Sequence, residues 1–152
     1  MRWLLILLSS GFTAHGQVGD DIVTLDVVPT VVRPGKRSEV ELIVHVGEGY
    51  HIQANRVTDE FIIPTTWEID DSQGFIVGKQ FFPESKKFRL EGTDEFLDVY
   101  DGSFGVRTVV KTLKGTPEGR HRLTGKFSYQ ACDSLRCLAP RSISIFVELD
   151  VN

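Results

Sequence analysis

Cys132 and Cys137 are the two cysteines of this 152-residue sequence, and four residues separate them. A pair of thiols can lock a fold as a disulfide, exchange disulfides with another protein, or hold a soft metal. Exchange needs an accessible thiolate, a second sulfur close enough to resolve the mixed disulfide, and a position another protein can reach. The flanking residues bear on those needs. Leu123, Phe127 and Tyr129 share one parity before the pair, and Ile143, Ile145, Val147, Leu149 and Val151 share one parity after it. Period-two alternation marks strands with one buried face, and two such strands joined by a short loop predict an antiparallel hairpin. Both sulfurs then fall at or near its tip on opposite arms, with Cα atoms about 5.5 Å apart, close enough to bond. Arg136 stands beside Cys137 and favours its thiolate, whereas Asp133 beside Cys132 opposes the other.

Two blander readings stand beside exchange. The first is a structural staple, the usual fate of paired cysteines in exported proteins. A loop this short contributes only roughly 2 kcal/mol through chain entropy. The second is a metal site in which His51 or His121 joins two thiolates around Cu(I) or Zn²⁺. The ligand inventory is thin, because Met1 is the sole methionine. No Gly-x-Ser-x-Gly elbow or glycine-rich phosphate loop is present. The acid pairs Asp59-Glu60, Asp70-Asp71 and Asp94-Glu95, and His45 on an outward strand position, read as solvated groups.

The elements that must position the pair are strands. The length suits a single domain, and 41% hydrophobic with 25% charged residues is ordinary globular composition. A net charge of −4 without a basic run argues against nucleic acid and anionic membrane surfaces. Arg2, the apolar run Trp3 to Leu8, and Ala14-His15-Gly16 read as a signal peptide over residues 1–16, leaving a domain over 17–152. The run is too short for a membrane anchor, which needs about 20 apolar residues. Val23, Leu25 and Val27 alternate, as do Val40, Leu42, Val44 and Val46, then Trp67 and Ile69, then Phe104, Val106, Thr108 and Val110. Phe75 to Phe82 reads as a further strand, and Tyr50 to Val57 as a polar strand of undecided face. Glu84 to Gly102 is irregular, and a stretch of that length is either functional or hides a strand. About eight short strands with turns between them and no helix describe an all-β sandwich or small barrel. Pro64 and Pro83 break two strands and so favour edges, hence the sandwich.

Tyr129-Gln130-Ala131-Cys132 followed by Cys137-Leu138-Ala139-Pro140 resembles the Tyr-Gln-x-Cys…Cys-x-x-Pro pattern of the N-terminal domain of the thiol:disulfide interchange protein DsbD. Gly49-Tyr50-His51-Ile52, Ile62-Ile63-Pro64-Thr65-Thr66, Phe82-Pro83-Glu84 and Val99-Tyr100-Asp101-Gly102 are similar too, in the same order along the chain. The best-known members have one residue more between the cysteines. The resemblance implies an immunoglobulin-like β-sandwich in the periplasm that passes electrons between a thioredoxin-like donor and oxidised proteins. It implies that Cys137 forms the mixed disulfide and Cys132 resolves it. It further implies an aromatic cap loop, for which Phe82, Phe88 and Phe96 are candidates, and a site lined by Tyr50, Tyr129 and Pro140.

The expectation is therefore a stand-alone, soluble periplasmic thiol:disulfide oxidoreductase. It would need no cofactor or metal, and would use thioredoxin-fold proteins or a membrane electron carrier as transient partners. The alternative is a non-catalytic secreted binding module with an inert disulfide. A staple would not need the aromatic and proline setting of the pair, whereas a relay would.

Overall fold

Alternating apolar residues decide where each strand lies. In the computed structural model, which describes residues 17–70 and 74–152, the segments Arg37–Val46 (β4), Ser103–Thr112 (β10), Gly119–Tyr129 (β11) and Arg141–Val151 (β13) are the four long strands. Each buries one parity and exposes the other. In β13, Ile143, Ile145, Val147, Leu149 and Val151 are buried, while Ser142, Ser144, Phe146, Glu148 and Asp150 are exposed. The shorter strands are Gln17–Gly19 (β1), Val23–Val27 (β2), Thr30–Val32 (β3), His51–Gln53 (β5), Thr66–Ile69 (β6), Phe75–Val77 (β7), Lys86–Arg89 (β8), Phe96–Tyr100 (β9) and Ala131–Cys132 (β12). Among the described residues, thirteen strands thus replace the expected eight.

The strands form two facing sheets and a smaller third. One sheet has the order β1-β2-β4-β10-β7, and the other β3-β13-β11-β6. Leu25, Leu42, Val44, Val106 and Val110 from the first share one core with Trp67, Leu123, Phe127, Ile145 and Val147 from the second. This is the all-β, immunoglobulin-like sandwich expected. Residues 61–63, which end at Pro64, form no strand, and the segment before Pro83 keeps only β7; β6 and β7 are each the last strand of their sheet. The expected signal peptide, residues 1–16, lies outside the described residues, as do Asp71, Ser72 and Gln73 of the turn after β6.

Three readings are corrected or resolved. The Phe75–Phe82 segment is a strand only to Val77; beyond it Phe81 makes an isolated bridge to Arg107. The irregular stretch 84–102 hides two strands, β8 and β9, paired as a hairpin. The third correction concerns the cysteine hairpin. β11 and β13 pair as expected from Gly119↔Val151 to Tyr129↔Arg141, but the chain then leaves their sheet. Ala131 and Cys132 pair instead with Ile52 and His51, so that β12 joins the third sheet, of order β12-β5-β9-β8.

Candidate functional site

The third sheet is two-faced, and its register sorts the residues. Ile52 lies opposite both Ala131 and Tyr100, and these three, with Ala54, enter the main core. The alternate positions, His51, Gln53, Val99 and Cys132, point to the other side, since neighbours on a strand face opposite ways. Phe88 of β8 joins that side from across Leu97. The sheet therefore ties the sandwich on one face to a sulfur-bearing layer on the other. Gly49, at φ 81°, makes the tight turn that delivers the chain into β5.

Cys132 and Cys137 are bonded, with S–S 2.00 Å and Cα atoms 3.9 Å apart. They face each other across a small secondary hairpin, closed by Leu138 N–H donating to Ala131 O at 2.7 Å and Asp133 N–H to Arg136 O at 2.9 Å. The Cα separation is shorter than the 5.5 Å expected from ordinary cross-strand pairs. Asp133 shapes the turn: its Oδ1 accepts from the backbone N–H groups of Leu135 and Arg136, both at 2.8 Å. Those two bonds, with Arg136 nearby, hold its carboxyl below the usual range. Arg136 Nε lies 3.9 Å from Asp133 Oδ2, so its charge is shared with that carboxylate and not devoted to Cys137.

The two sulfurs differ in access. Cys132 is 0% exposed, whereas Cys137 is partly exposed. The expectation that both sit open at a hairpin tip holds for one arm only, because β12 is covered by β5 and by the layer above it. Gln53 Nε2 donates to Cys132 Sγ at 3.1 Å and reaches Cys137 Sγ at 3.6 Å. His51, 5% exposed and opposite Cys132, has no hydrogen-bond partner on Nε2. Burial pushes its pKa down from the ordinary 6.5, while Asp101 and Asp133 pull the other way.

The excursion 130–140 is anchored at its base and sides. Gln130 Oε1 accepts from Ile63 N–H at 2.9 Å, and its Nε2 donates to Leu138 O at 3.1 Å. Glu91 N–H, in the β8–β9 turn, donates to Ser134 O at 3.1 Å. Tyr129 Oη donates to Asp20 Oδ2 at 2.6 Å, and Arg141 pairs with Asp20 at 3.6 Å and with Asp21. Burial and the Asp20 bond push the Tyr129 hydroxyl far up.

The aromatic residues considered for the site occupy distinct places. Phe88 lies over His51 with ring centroids 3.8 Å apart. Phe82 stacks on Tyr100 at 6.0 Å, beside Pro83, whose carbonyl accepts from the Tyr100 hydroxyl. Phe96 is 62% exposed and lines a shallow groove with Gln53, Ile62 and Asp98. Tyr129 is a core residue, Tyr50 packs half-buried against the core, and Pro140 is exposed. Of the histidines considered for a metal, His51 is beside the sulfurs. His121 lies eight residues before Tyr129 on β11, about 26 Å away along an extended strand, with Nε2 bonded to Pro117 O.

A β-sandwich that carries a bonded cysteine pair on an auxiliary sheet, one sulfur sealed and one open, belongs to a class of thiol–disulfide proteins without the thioredoxin fold. The particular family follows from the sequence: residues 20–149 match "Thiol:disulfide interchange protein DsbD, N-terminal", and the chain belongs to that family. Two solved structures are similar. One is the N-terminal periplasmic domain of ScsB from Proteus mirabilis, at 14% identity and TM-score 0.58, covering 86% of this chain and 50% of that one. The other is the reduced DsbD N-terminal domain of Neisseria meningitidis, at 13% identity and TM-score 0.47, covering 77% of this chain and 82% of that one. The chain thus spans half the length of the ScsB structure. No curated protein sequence matches it. Among the described residues, no helix is long and apolar enough to cross a membrane.

Proposed function

We propose that this domain is a periplasmic thiol:disulfide interchange module whose Cys132–Cys137 pair accepts two electrons from a thioredoxin-fold donor and passes them to oxidised proteins. The observation that carries the reading is the unequal access of the two sulfurs. An incoming thiolate meets Cys137, while Cys132 stays fully buried. Attack at Cys137 forms the mixed disulfide and expels Cys132 as the leaving thiolate. In the forward delivery step the roles reverse: the Cys137 thiolate attacks the acceptor's disulfide, and Cys132 then attacks Cys137 to release the acceptor's thiol. In-line approach of a third sulfur is needed in each step, and the open side of Cys137 is where it enters.

Phe88 is the cap that the geometry favours over Phe82 and Phe96, because it alone of the three stacks on a residue opposite a cysteine. It lies above His51 and thickens the apolar lid over Cys132, restricting attack to partners that fit around the loop. The test is a Cys132→Ser protein whose Cys137 thiolate is exposed to an oxidised thioredoxin-fold partner and, separately, to an oxidised acceptor, so that it attacks their disulfide. The expected result is a covalent complex through Cys137 that reductant reverses. No complex, together with a reduction potential below about −300 mV, the range of structural disulfides, would return the pair to an inert role in a binding module.

A further inference from the structure

Expelling Cys132 as a thiolate leaves an anion where no water reaches it. A buried charge without a donor is costly, so the layer around this sulfur must supply one. The charged groups nearby do not. Lys86 is paired with Asp101, Arg136 with Asp133, and His51 is buried with its proton disfavoured. Among the described residues, the side chain whose hydrogen bonds reach the sulfurs is Gln53, at 3.1 Å from Cys132 Sγ and 3.6 Å from Cys137 Sγ.

Gln53 is also built to stay there. It is 1% exposed, its backbone N–H donates to Gln130 O at 3.0 Å, and its carbonyl accepts from Thr65 Oγ1 at 2.5 Å. Its Oε1 is buried without a partner. A buried polar atom left unsatisfied destabilises a fold, a penalty that an apolar residue of the same shape would avoid. The amide therefore holds this position against a stability penalty, and what it gains in return is a pair of N–H donors aimed at the two sulfurs.

We propose that Gln53 is a catalytic residue of the exchange, its amide N–H groups stabilising the Cys132 sulfur as it becomes a thiolate and holding it next to Cys137 for return attack. This rests on the interchange reading above. As a partner thiolate bonds to Cys137 Sγ, the Cys132–Cys137 bond breaks and its electron pair passes to Cys132 Sγ, which the Gln53 amide receives. The partner's second thiolate then attacks its own sulfur in the mixed disulfide and frees Cys137. Two electrons move from partner dithiol to the pair, and the two protons lost by that dithiol end on Cys132 and Cys137 by way of solvent.

Gln53→Met keeps the length and removes the donors; Gln53→Glu keeps the shape and places an acceptor against the sulfurs. With dithiothreitol as reductant, both variants should be reduced roughly tenfold to a hundredfold more slowly than the unaltered protein, the value of a hydrogen bond to a charged group. In a Cys137→Ser background, where Cys132 is the single thiol, Gln53→Met should raise the midpoint of its thiolate absorbance by roughly one to two pH units. In otherwise unaltered Cys137→Ser protein, the Gln53 side-chain amide resonances should shift with that same titration, a readout that does not depend on any Gln53 variant folding. Unchanged rates and midpoint, or amide resonances indifferent to the titration, overturn the role of Gln53. If the unaltered protein itself resists dithiothreitol and captures no partner, the interchange reading fails instead.

Discussion

Phe88 lies over His51 with ring planes tilted by 36°, and His51 stands directly opposite Cys132 in the β5–β12 pairing. An aromatic ring thus covers an imidazole that in turn neighbours the sealed sulfur. The stack comes from β8, an edge strand bonded only to β9, so the lid is the most easily displaced part of the sheet. Phe88→Ala should speed reduction by small thiols several-fold while leaving the sandwich folded. Since Phe88 is only half-buried, its removal should destabilise by about 1 kcal/mol. Stopped-flow reduction with glutathione, set beside a thermal melt of the oxidised form, checks both. An unchanged rate would remove Phe88 from the gate.

His51 makes stability depend on pH in a definite direction. Its folded pKa lies below the ordinary 6.5 because burial disfavours the charged ring. Above that value the ring is neutral in both folded and unfolded chains and contributes no pH dependence. As pH falls below about 6.5, the unfolded chain takes up a proton that the folded one refuses, and stability declines until the folded pKa is passed. Denaturant midpoints should therefore drop between pH 7.5 and 5.5 (roughly one unit either side of the free imidazole value). His51→Phe should flatten that drop. A slope that survives the substitution would assign the effect to another group.

Asp20 fastens the N-terminal segment to the base of the cysteine excursion. Burial alone would raise its pKa, but the Tyr129 hydroxyl, the N–H groups of Val23 and Ile22, and Arg141 outweigh burial and hold it below the ordinary 3.8. Its contribution is present above 3.8 and is lost as pH falls through the folded pKa. Asp20→Asn should lower stability at neutral pH by about 1–2 kcal/mol, allowing for its partial exposure, or about 3–5 °C in Tm. The gap from the unaltered protein should narrow as pH falls from 3.8 through the lower folded pKa, where the Asp20 carboxyl takes up its proton. Paired melts at neutral and acid pH measure it.

What could be read from the sequence follows which strands have one wet face. β4, β10, β11 and β13 each show the core on one side and solvent on the other, and their period of two is plain in Val40-Leu42-Val44 or Ile143-Ile145-Val147. β5 is buried on both faces, His51 and Gln53 against the sulfurs and Ile52 against the core, so no alternation of polarity marks it. That is why Gln53 escaped notice: it looks like a surface residue in a polar stretch, and only the β12–β5 pairing puts it under the disulfide. β8 was obscured for the converse reason, because Lys86, Lys87 and Arg89 leave little apolar residue to repeat, and β9 because Phe96, Leu97, Val99 and Tyr100 put apolar residues at both parities. The cysteine hairpin was legible as a hairpin. Its departure from the β11–β13 sheet was not, since Ala131 continues the buried parity of Tyr129 without a break.

Asp133 sets how readily the disulfide closes. In the reduced protein the two sulfurs meet only if the turn Asp133–Arg136 stays folded, and that turn is held by the Asp133 Oδ1 bonds to Leu135 and Arg136 N–H. Side chains of this type make their own turns by accepting two or three residues ahead. Asp133→Ala removes the acceptor and frees the turn in the reduced state, while the covalent bond still fixes it in the oxidised state. The dithiol then samples more conformations, the effective concentration of one sulfur at the other falls, and the disulfide becomes easier to reduce. The reduction potential should move to less negative values, and the rate of ring closure after oxidation to the mixed disulfide should fall by the same factor as the equilibrium constant. The rate at which Cys137 is first attacked should change little, because its exposure does not depend on Asp133. Equilibration against glutathione together with quenched-flow alkylation separates the two. A potential that stays put would mean that the β12–β5 pairing alone holds the sulfurs in register, whereas a slower first attack would place Asp133 at the entry path and not in the turn.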